Sequence, residues 1–240
     1  MPRLPRRQSS TNIYHAVLRG NDRKTIFFDA EDYERYIEIL RQKRKDCDCV
    51  IYAWCLMPNH DHLLIKERSK PLGYFFQGIA AAFVYWYNRK YDRVGHLFQG
   101  RYRTEPVETP DYFLNVIRYI HMNPVKGNIC KKPDEYLFSS YRSFFCDGKY
   151  ADDHMLYDLI RLDELRKFHL EKNEDLCLDI DMPGPGHLTD GEVIAIGRQF
   201  VESGSFTDLK NLPPEKRIPL VNSLLKAGAS VEQIDRLSAC

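Results

Sequence analysis

The segment MPNHDHLLI, residues 57–65, carries two histidines two residues apart in a run with the composition of a β-strand. Successive side chains of a strand point to opposite faces of a sheet, so His60 and His62 share one face while Asp61 points to the other. Two imidazoles on one face supply half of a metal site. A half-exposed strand with two incidental histidines would carry the same letters, so the rest of the chain has to decide between the two interpretations.

The segments on either side of residues 57–65 alternate between strand-like and helix-like patterns. We predict strands at residues 14–18, 50–56 and 59–66, with strand-like alternation from about residue 101 toward 107. We predict helices from residue 29 or 31 to 45, from about 71 to 91, and from 111 to 122 or 123. The runs at 50–56 and 59–66 form either one bent strand or a hairpin. The resulting order β-α-β-β-α-β-α predicts an α+β fold: a ferredoxin-like or RRM-like split β-α-β arrangement with an antiparallel sheet and flanking helices.

The third predicted helix has defined signals at both ends. Thr109 and Pro110 form an N-cap and first-turn pair, and Pro124 is expected to interfere with continuation beyond Met122 or Asn123. This helix carries Tyr119.

The chain changes character after about residue 150, which predicts three parts. Residues 1–150 form the α+β domain, residues 151–181 a helical extension and linker, and residues 182–240 a small all-α, helix-turn-helix-like carboxy-terminal domain. Residues 1–150 hold 25 Lys and Arg against 17 Asp and Glu, a net charge of +8, and the remainder carries −7. A basic domain beside an acidic region is typical of polyanion binding, although two solvated surfaces that cancel would give the same balance. Whether the acidic region inhibits the basic domain or itself binds DNA stays open.

Composition excludes several classes of protein. With 43% hydrophobic and 29% charged residues and no long apolar run, the sequence predicts no membrane span and no signal peptide, so we expect a cytoplasmic location. The seven cysteines are odd in number and scattered, which favours reduced thiols. Cys47, Cys49 and Cys55 precede the histidines, but their spacing is not that of a zinc knuckle, and core positions are favoured.

The predicted third helix supplies partners for the histidine pair. Tyr119 and Asn123 are four residues apart, so they lie on one helical face. The amide oxygen of Asn123 is a ligand that can join two imidazole nitrogens around a divalent metal and leave coordination positions open. Such a metal would bind a phosphodiester while the phenol of Tyr119 attacks phosphorus. Because a phenol is mostly protonated near neutrality, nearby positive charge or a proton acceptor has to assist.

Three motifs in order, MPNHDHLLI, GHLFQGRYR and YIHMNPVKG, resemble those of the REP-associated tyrosine transposases of the HUH superfamily, over roughly residues 10–150. The resemblance places the paired histidine ligands at His60 and His62, the nucleophile at Tyr119 and the third ligand at Asn123. It implies cleavage of single-stranded DNA that depends on Mg²⁺ or Mn²⁺, a covalent 5′-phosphotyrosine, a free 3′-hydroxyl and rejoining by reversal. It also implies recognition of repetitive extragenic palindromes as hairpins.

Asp61 departs from the resemblance, because the family's residue between the two histidines is usually hydrophobic. A buried carboxylate is costly unless it is paired, neutral or near solvent. We expect Arg101, Arg103 or a lysine to pair with it, and we do not assign it as a ligand. His15, Asp61 and His121 are candidates for supporting the metal ligands and the nucleophile.

Arginines and lysines of the amino-terminal arm, the first loop and the last strand are the predicted DNA contacts, since such positions can wrap a hairpin. They are Arg3, Arg6, Arg7, Arg19, Arg23, Lys24, Arg101 and Arg103. A homodimer and a monomer both remain open. Two other functions fit less well: a non-catalytic, domesticated protein that binds structured nucleic acid, and a metal-dependent phosphodiesterase that uses water.

Overall fold

The computed structural model describes residues 6–147, 159–171, 177–178, 193–194, 220–221, 224, 234 and 237. The chain divides into two compact units, Met1–Leu178 and Asp179–Cys240. Arg3, the linker near residues 182–186 and nearly all of the predicted carboxy-terminal helical patterns lie outside the described residues. The boundaries at 150 and 181 and the helix-turn-helix interpretation therefore stay predictions.

A four-stranded antiparallel sheet forms the centre of the first unit. In spatial order its strands are β2 (Val50–Met57), β3 (His60–Lys66), β1 (Ile13–Arg19) and β4 (Arg103–Pro106). Only Pro58 and Asn59 separate β2 from β3, so these two runs form a hairpin rather than one bent strand. The histidines lie on β3, an inner strand of the sheet.

Helices cover both faces of this sheet. On one face lie α1 (Ala30–Cys47) and α2 (Leu72–Lys90); on the other lies α3 (Pro110–Lys126), with α4 (Leu162–Leu170) beside it. Burial from both sides explains why all eight residues of β2, VIYAWCLM, are buried. A strand covered on one face only would alternate apolar and polar residues. The predicted α+β fold and its element order are confirmed.

The helix α3 begins as the sequence predicts but ends later. The side chain of Thr109 accepts a hydrogen bond from the backbone N–H of Tyr112 at 3.2 Å, and Pro110 occupies the first turn. The predicted end near Asn123 is wrong, because the helix continues through Pro124 to Lys126. A proline this close to the end removes only one backbone hydrogen bond, and the N–H of Gly127 still bonds the carbonyl of Asn123 at 2.8 Å.

The helix α4 is attached to the back of α3 by buried polar contacts. His121 Nδ1 lies 2.9 Å from His169 Nε2, and the Nδ1–H of His169 donates to the carbonyl of Leu165 at 2.7 Å. On its other side, His121 Nε2 lies 2.8 Å from the hydroxyl of Ser140. Arg118 adds a hydrogen bond from its guanidinium to the carbonyl of Phe168 at 3.1 Å. Two residues that flank Tyr119 on α3 therefore hold α4.

The start of α1 and the end of α2 meet at an ionic cluster. The ammonium of Lys90 lies 2.8 Å from a carboxylate oxygen of Asp29 and 2.9 Å from oxygens of Glu31 and Asp32. The hydrogen bond from Lys90 holds the pKa of Asp29 below its usual value. Asp32 is fully buried, so Lys90 and the hydroxyl of Tyr91 supply the partners that its carboxylate needs. The cluster fixes the two helices against each other on the face opposite α3.

The turn between β2 and β3 is held by the loop that follows β1. The N–H of Gly20 donates to the carbonyl of Asn59 at 2.8 Å, and the N–H of Ile26 donates to that of Pro58 at 2.8 Å. A Cβ on residue 20 would collide with the carbonyl oxygen of Lys24, so only glycine allows this close approach. The first histidine of the pair thus follows a turn whose position is fixed.

Candidate active site

The two histidines of β3 face α3 together. Register with β1 places His60 opposite Arg19 and His62 opposite Val17, so both imidazoles project from the same face of the sheet. The Nε2 atoms of His60 and His62 lie 3.0 Å apart. The two imidazoles therefore lie side by side on one face of the sheet, as strand alternation predicts.

Hydrogen bonds to the other ring nitrogens define how the two imidazoles are oriented. The side-chain amide of Asn59 donates to the carbonyl of Arg23 at 3.2 Å, which leaves its oxygen to accept from Nδ1–H of His60 at 2.6 Å. Neutral His60 then carries a lone pair on Nε2. His62 Nδ1 lies 3.0 Å from Nε2 of His15, which is fully buried on β1. Asn59 and His15 are thus the groups that orient the pair.

Burial keeps His15 and His62 neutral. Desolvation lowers the pKa of His15 to about 3. The pKa of His62 is well below its usual value, because of burial and then because of the neighbouring His60 and His15. A neutral imidazole is the form that binds a metal, so the environment favours the ligand state.

The donor set fits a divalent metal. Two nitrogen ligands at ~2.1 Å from an octahedral or tetrahedral metal lie roughly 3.0–3.4 Å apart, and the two Nε2 atoms are 3.0 Å apart. Nδ2 of Asn123 donates to the backbone carbonyl of Tyr119 at 3.1 Å, so its side-chain oxygen is the atom left for a ligand bond. Among the described residues, no three His, Cys, Asp or Glu side chains form a metal-holding group. A site here therefore rests on two imidazoles and a neutral amide.

Tyr119 lies against the histidines from α3. Its ring centroid is 5.6 Å from that of His62 and 5.7 Å from that of His15, with the rings edge to face in both pairs. The side chain is 4% exposed. Asn123 follows one turn later on the same helical face and is half-buried. The structure thus brings Tyr119 next to the predicted ligand His62.

Asp61 points away from this site, into the layer between the sheet and α1. Its carboxylate accepts hydrogen bonds from the backbone N–H of Leu18 at 2.7 Å and from the hydroxyl of Tyr36. The expected pairing with Arg101, Arg103 or a lysine is not what the structure shows, because Arg103 projects from the other face of the sheet, opposite Val17. Burial raises the pKa of Asp61 to about 7, although both hydrogen bonds act to lower it. The carboxyl group is thus satisfied by Tyr36 and Leu18 and plays a structural part.

His121 lies on the far side of α3 from the histidine pair, in the contact with His169 and Ser140. Its ring is fully buried, and burial lowers its pKa well below the usual value. Of the three candidate supporting residues, only His15 contacts a predicted ligand.

The predicted DNA contacts are distributed over two places. Arg19 and Arg103 flank Val17 on the sheet face that carries His60 and His62. The other described members, all exposed, lie in the arm and loops near the ends of β1 and β4: Arg6, Arg7, Arg23, Lys24 and Arg101. The guanidinium of Arg6 lies over the ring of Tyr102, with Cζ 3.8 Å from the ring centroid. Arg103 is exposed and Arg19 is half-buried.

The cysteines before the histidines are core residues. Cys47, Cys49 and Cys55 are buried, reduced thiols. Burial raises the pKa of the Cys55 thiol well above its usual value. Cys55 is the register neighbour of His62, yet no metal-holding group with it forms among the described side chains.

Three contacts of this region were missed from the sequence. Asn59 lies within the segment 57–65, directly before His60, and this adjacency is the signal that could have found it. Tyr36 and Asp61 are 25 residues apart in sequence, and no local pattern pairs them. Lys126, whose ammonium lies 4.7 Å from the ring centroid of Tyr119, comes seven residues after it and shares its helical face.

A comparison with solved structures defines the class of fold. The chain is similar to a REP-associated tyrosine transposase solved in complex with a REP hairpin, with a TM-score of 0.53 and 16% sequence identity over 68% of this chain and 90% of that one. A candidate transposase from Deinococcus radiodurans R1 also matches, with a TM-score of 0.36 and 18% identity over 50% of this chain and 95% of that one. The first likeness shows that the α+β fold is similar to that of the REP-associated tyrosine transposase.

The sequence itself also matches a family model. Residues 8–123 match the family model described as "Transposase IS200 like". The resemblance to tyrosine transposases stated from the three motifs is therefore confirmed over this part of the chain. No curated protein matches the chain. Among the described helices, none has the length and apolar character needed to cross a membrane.

Proposed function

We propose that this transposase domain cleaves and rejoins single-stranded or hairpin DNA through a covalent bond to Tyr119. The observation that carries the proposal is the contact between the Tyr119 and His62 rings, 5.6 Å apart, on the face where His60 and His62 converge. The phenol of Tyr119 and the two imidazoles provide a nucleophile and two ligands, and the half-buried amide of Asn123, one turn further on the same helical face, is the proposed third ligand. No other described cluster combines these groups.

Tyr119 acts as the nucleophile in this proposal. Its phenol oxygen forms a bond to phosphorus while the bond from phosphorus to the 3′-oxygen breaks. The phenol loses one proton, and the leaving 3′-oxygen gains one to become the 3′-hydroxyl. The product is a 5′-phosphotyrosine and a free 3′-end. Reversal of the step, with a 3′-hydroxyl as the attacking group, rejoins the strand.

His60, His62 and Asn123 would hold Mg²⁺ or Mn²⁺, which supplies a Lewis acid for the phosphate oxygens when bound. Asn59 accepts from Nδ1–H of His60 and so leaves the Nε2 lone pair of that ring for a ligand bond. Nε2 of His15 accepts a hydrogen bond from Nδ1–H of His62 when Nε2 of His62 is a ligand, so His15 holds the second imidazole in the matching orientation.

Hairpin DNA is proposed as the substrate because the similar REP-associated transposase is bound to a REP hairpin. The charge supports this choice, since residues 1–150 carry a net +8. Arg19 and Arg103 are proposed to contact phosphates next to the site, and the arm and loop cations, Arg3 included, to contact the duplex stem. We propose a cytoplasmic location, where such DNA is accessible.

The test is incubation of the full chain with a REP-like hairpin oligonucleotide and Mn²⁺, followed by a denaturing gel. Wild-type protein should form a covalent adduct, Tyr119→Phe should form none, and His60→Ala should bind the hairpin with near-background cleavage. Hairpin binding without an adduct under any divalent metal would instead indicate a binding protein. Cleavage that leaves no DNA on the protein would indicate a phosphodiesterase that uses water.

A further inference from the structure

Lys126 lies on the same face of α3 as the proposed nucleophile. Tyr119, Asn123 and Lys126 occupy positions i, i+4 and i+7, so the three side chains form one row along the helix. This row exists only because the helix continues through Pro124 to Lys126 instead of ending at Asn123. The hydrogen bond from the N–H of Gly127 to the carbonyl of Asn123 completes the last helical turn, which contains Lys126.

The ammonium of Lys126 is directed back over the tyrosine. Nζ lies 4.7 Å from the centroid of the Tyr119 ring, within the range of a cation–π contact. Lys126 is exposed, whereas Tyr119 is 4% exposed. In the described part of the chain, no carboxylate forms an ion pair with Lys126. Its charge is therefore available to a ligand that approaches Tyr119.

A lysine in the last turn of a helix also has an ordinary role, because a cation there interacts favourably with the helix dipole. That role requires only a charge near the final carbonyl groups. It does not account for an ammonium that lies over a side chain two turns earlier, beside the group that has to reach a phosphate.

We propose that Lys126 is a further catalytic residue, whose ammonium binds the scissile phosphate next to Tyr119 and offsets the negative charge that develops during transfer. This inference rests on the proposed function and deepens it. When the phenol oxygen bonds to phosphorus and the 3′-oxygen leaves, negative charge spreads over the equatorial phosphate oxygens and the two apical oxygens. A fixed cation at that position stabilises the transition state more than the bound substrate.

The first experiment compares single-turnover adduct formation by wild type, Lys126→Met and Lys126→Arg at saturating hairpin with Mn²⁺. Lys131→Met is the matched control, because Lys131 is an exposed lysine five residues further on. We expect Lys126→Met to lower the rate ~10²-fold, as removal of one electrostatic group commonly does. The rate of Lys126→Arg should be at least about tenfold higher than that of Lys126→Met. Lys131→Met should be within about twofold of wild type. A wild-type rate for Lys126→Met would overturn the inference.

A second experiment separates charge stabilisation from a structural effect. With a neutral methylphosphonate at the scissile position there is less charge to offset, so the difference between wild type and Lys126→Met should shrink at least tenfold. An equal loss of rate on both linkages, with no rescue by arginine, would mean that Lys126 only maintains the helix. The thermal unfolding midpoints of the variants provide the independent check on folding.

Hairpin affinity keeps the inference testable if Tyr119 proves not to be the nucleophile. Each phosphate contact made by a lysine contributes ~0.7 to the slope of log K against log salt for a single strand. Lys126→Met should therefore reduce the slope by about this amount, whereas Lys131→Met should leave it unchanged. An unaltered slope for Lys126→Met would reject contact with a phosphate, and the absence of any adduct from wild type would reject the proposed function alone.

Discussion

Asp61 provides a prediction whose magnitude follows from its environment. The carboxyl group is fully buried between β3 and α1, and its two hydrogen bonds come from Leu18 and Tyr36. Burial raises its pKa to about 7, against ~3.9 in an unfolded chain. The folded state therefore binds the proton more tightly, and the contribution of this group to the free energy of unfolding falls as the pH rises from ~4 to ~7.

Replacing Asp61 with asparagine removes this titration but keeps the shape of the side chain. At ~1.4 kcal/mol for each pKa unit, the wild-type protein should lose about 3 kcal/mol relative to Asp61→Asn between pH 5 and pH 8. The oxygen of the introduced amide can still accept from the N–H of Leu18, and its nitrogen can donate to the hydroxyl of Tyr36. The change should therefore show itself chiefly as a difference in pH dependence.

Urea unfolding in EDTA, followed by tryptophan fluorescence, measures this difference. The chain has two tryptophans, Trp54 and Trp86, and both belong to the unit Met1–Leu178, so the signal reports on the part that contains Asp61. Asp92→Asn is the matched control at an exposed aspartate. A difference between Asp61→Asn and wild type that stays constant within ~0.5 kcal/mol from pH 5 to pH 8 would refute the reasoning.

Four further predictions follow from single contacts. Asn59→Ala should raise the Mn²⁺ concentration needed for half-saturation ~10–100-fold by isothermal titration calorimetry, because His60 loses the partner that orients it; unchanged affinity would contradict this role. Lys90→Met should cost about 1–3 kcal/mol in urea unfolding because the buried Asp32 loses a partner, whereas exposed Arg35→Met should cost less than ~0.5 kcal/mol; equal costs would show that burial is not decisive. His169→Leu should leave Nδ1 of His121 unpaired and destabilise the unit by about 1–3 kcal/mol. Hydrogen exchange in α3 should increase, with His96→Leu at an exposed histidine as the control. Unaltered exchange in α3 would show that α4 does not support this helix. Arg103→Gln should reduce the salt slope of hairpin binding by ~0.7, and an unchanged slope would remove Arg103 from the interface.

The part of the fold that depends on local patterns could be predicted from the sequence. The two-residue period of β3 places His60 and His62 together, and the helical period of α3 places Tyr119 and Asn123 on one face. The cap at Thr109 and Pro110 likewise uses only neighbouring residues. In each case the prediction required no knowledge of what packs against the element.

The features that were missed depend on tertiary contacts or on context at an element's end. Periodicity places Tyr36 on the core face of α1, but it does not reveal that the hydroxyl contacts Asp61. His121 and His169 are 48 residues apart, so the attachment of α4 to α3 has no local signal. A proline usually ends a helix. Here the last turn of α3 keeps its other hydrogen bonds beyond Pro124, so Lys126 lies over the ring of Tyr119.

The most direct test of the account is to identify the protein atom that joins the DNA. Adduct formed with a hairpin oligonucleotide and Mn²⁺ should be digested and mapped by mass spectrometry. We predict a single modified peptide with the 5′-phosphate of the cleaved strand on Tyr119, and no modified peptide from Tyr119→Phe. A DNA adduct on another residue, or an adduct that persists in Tyr119→Phe, would contradict the central claim.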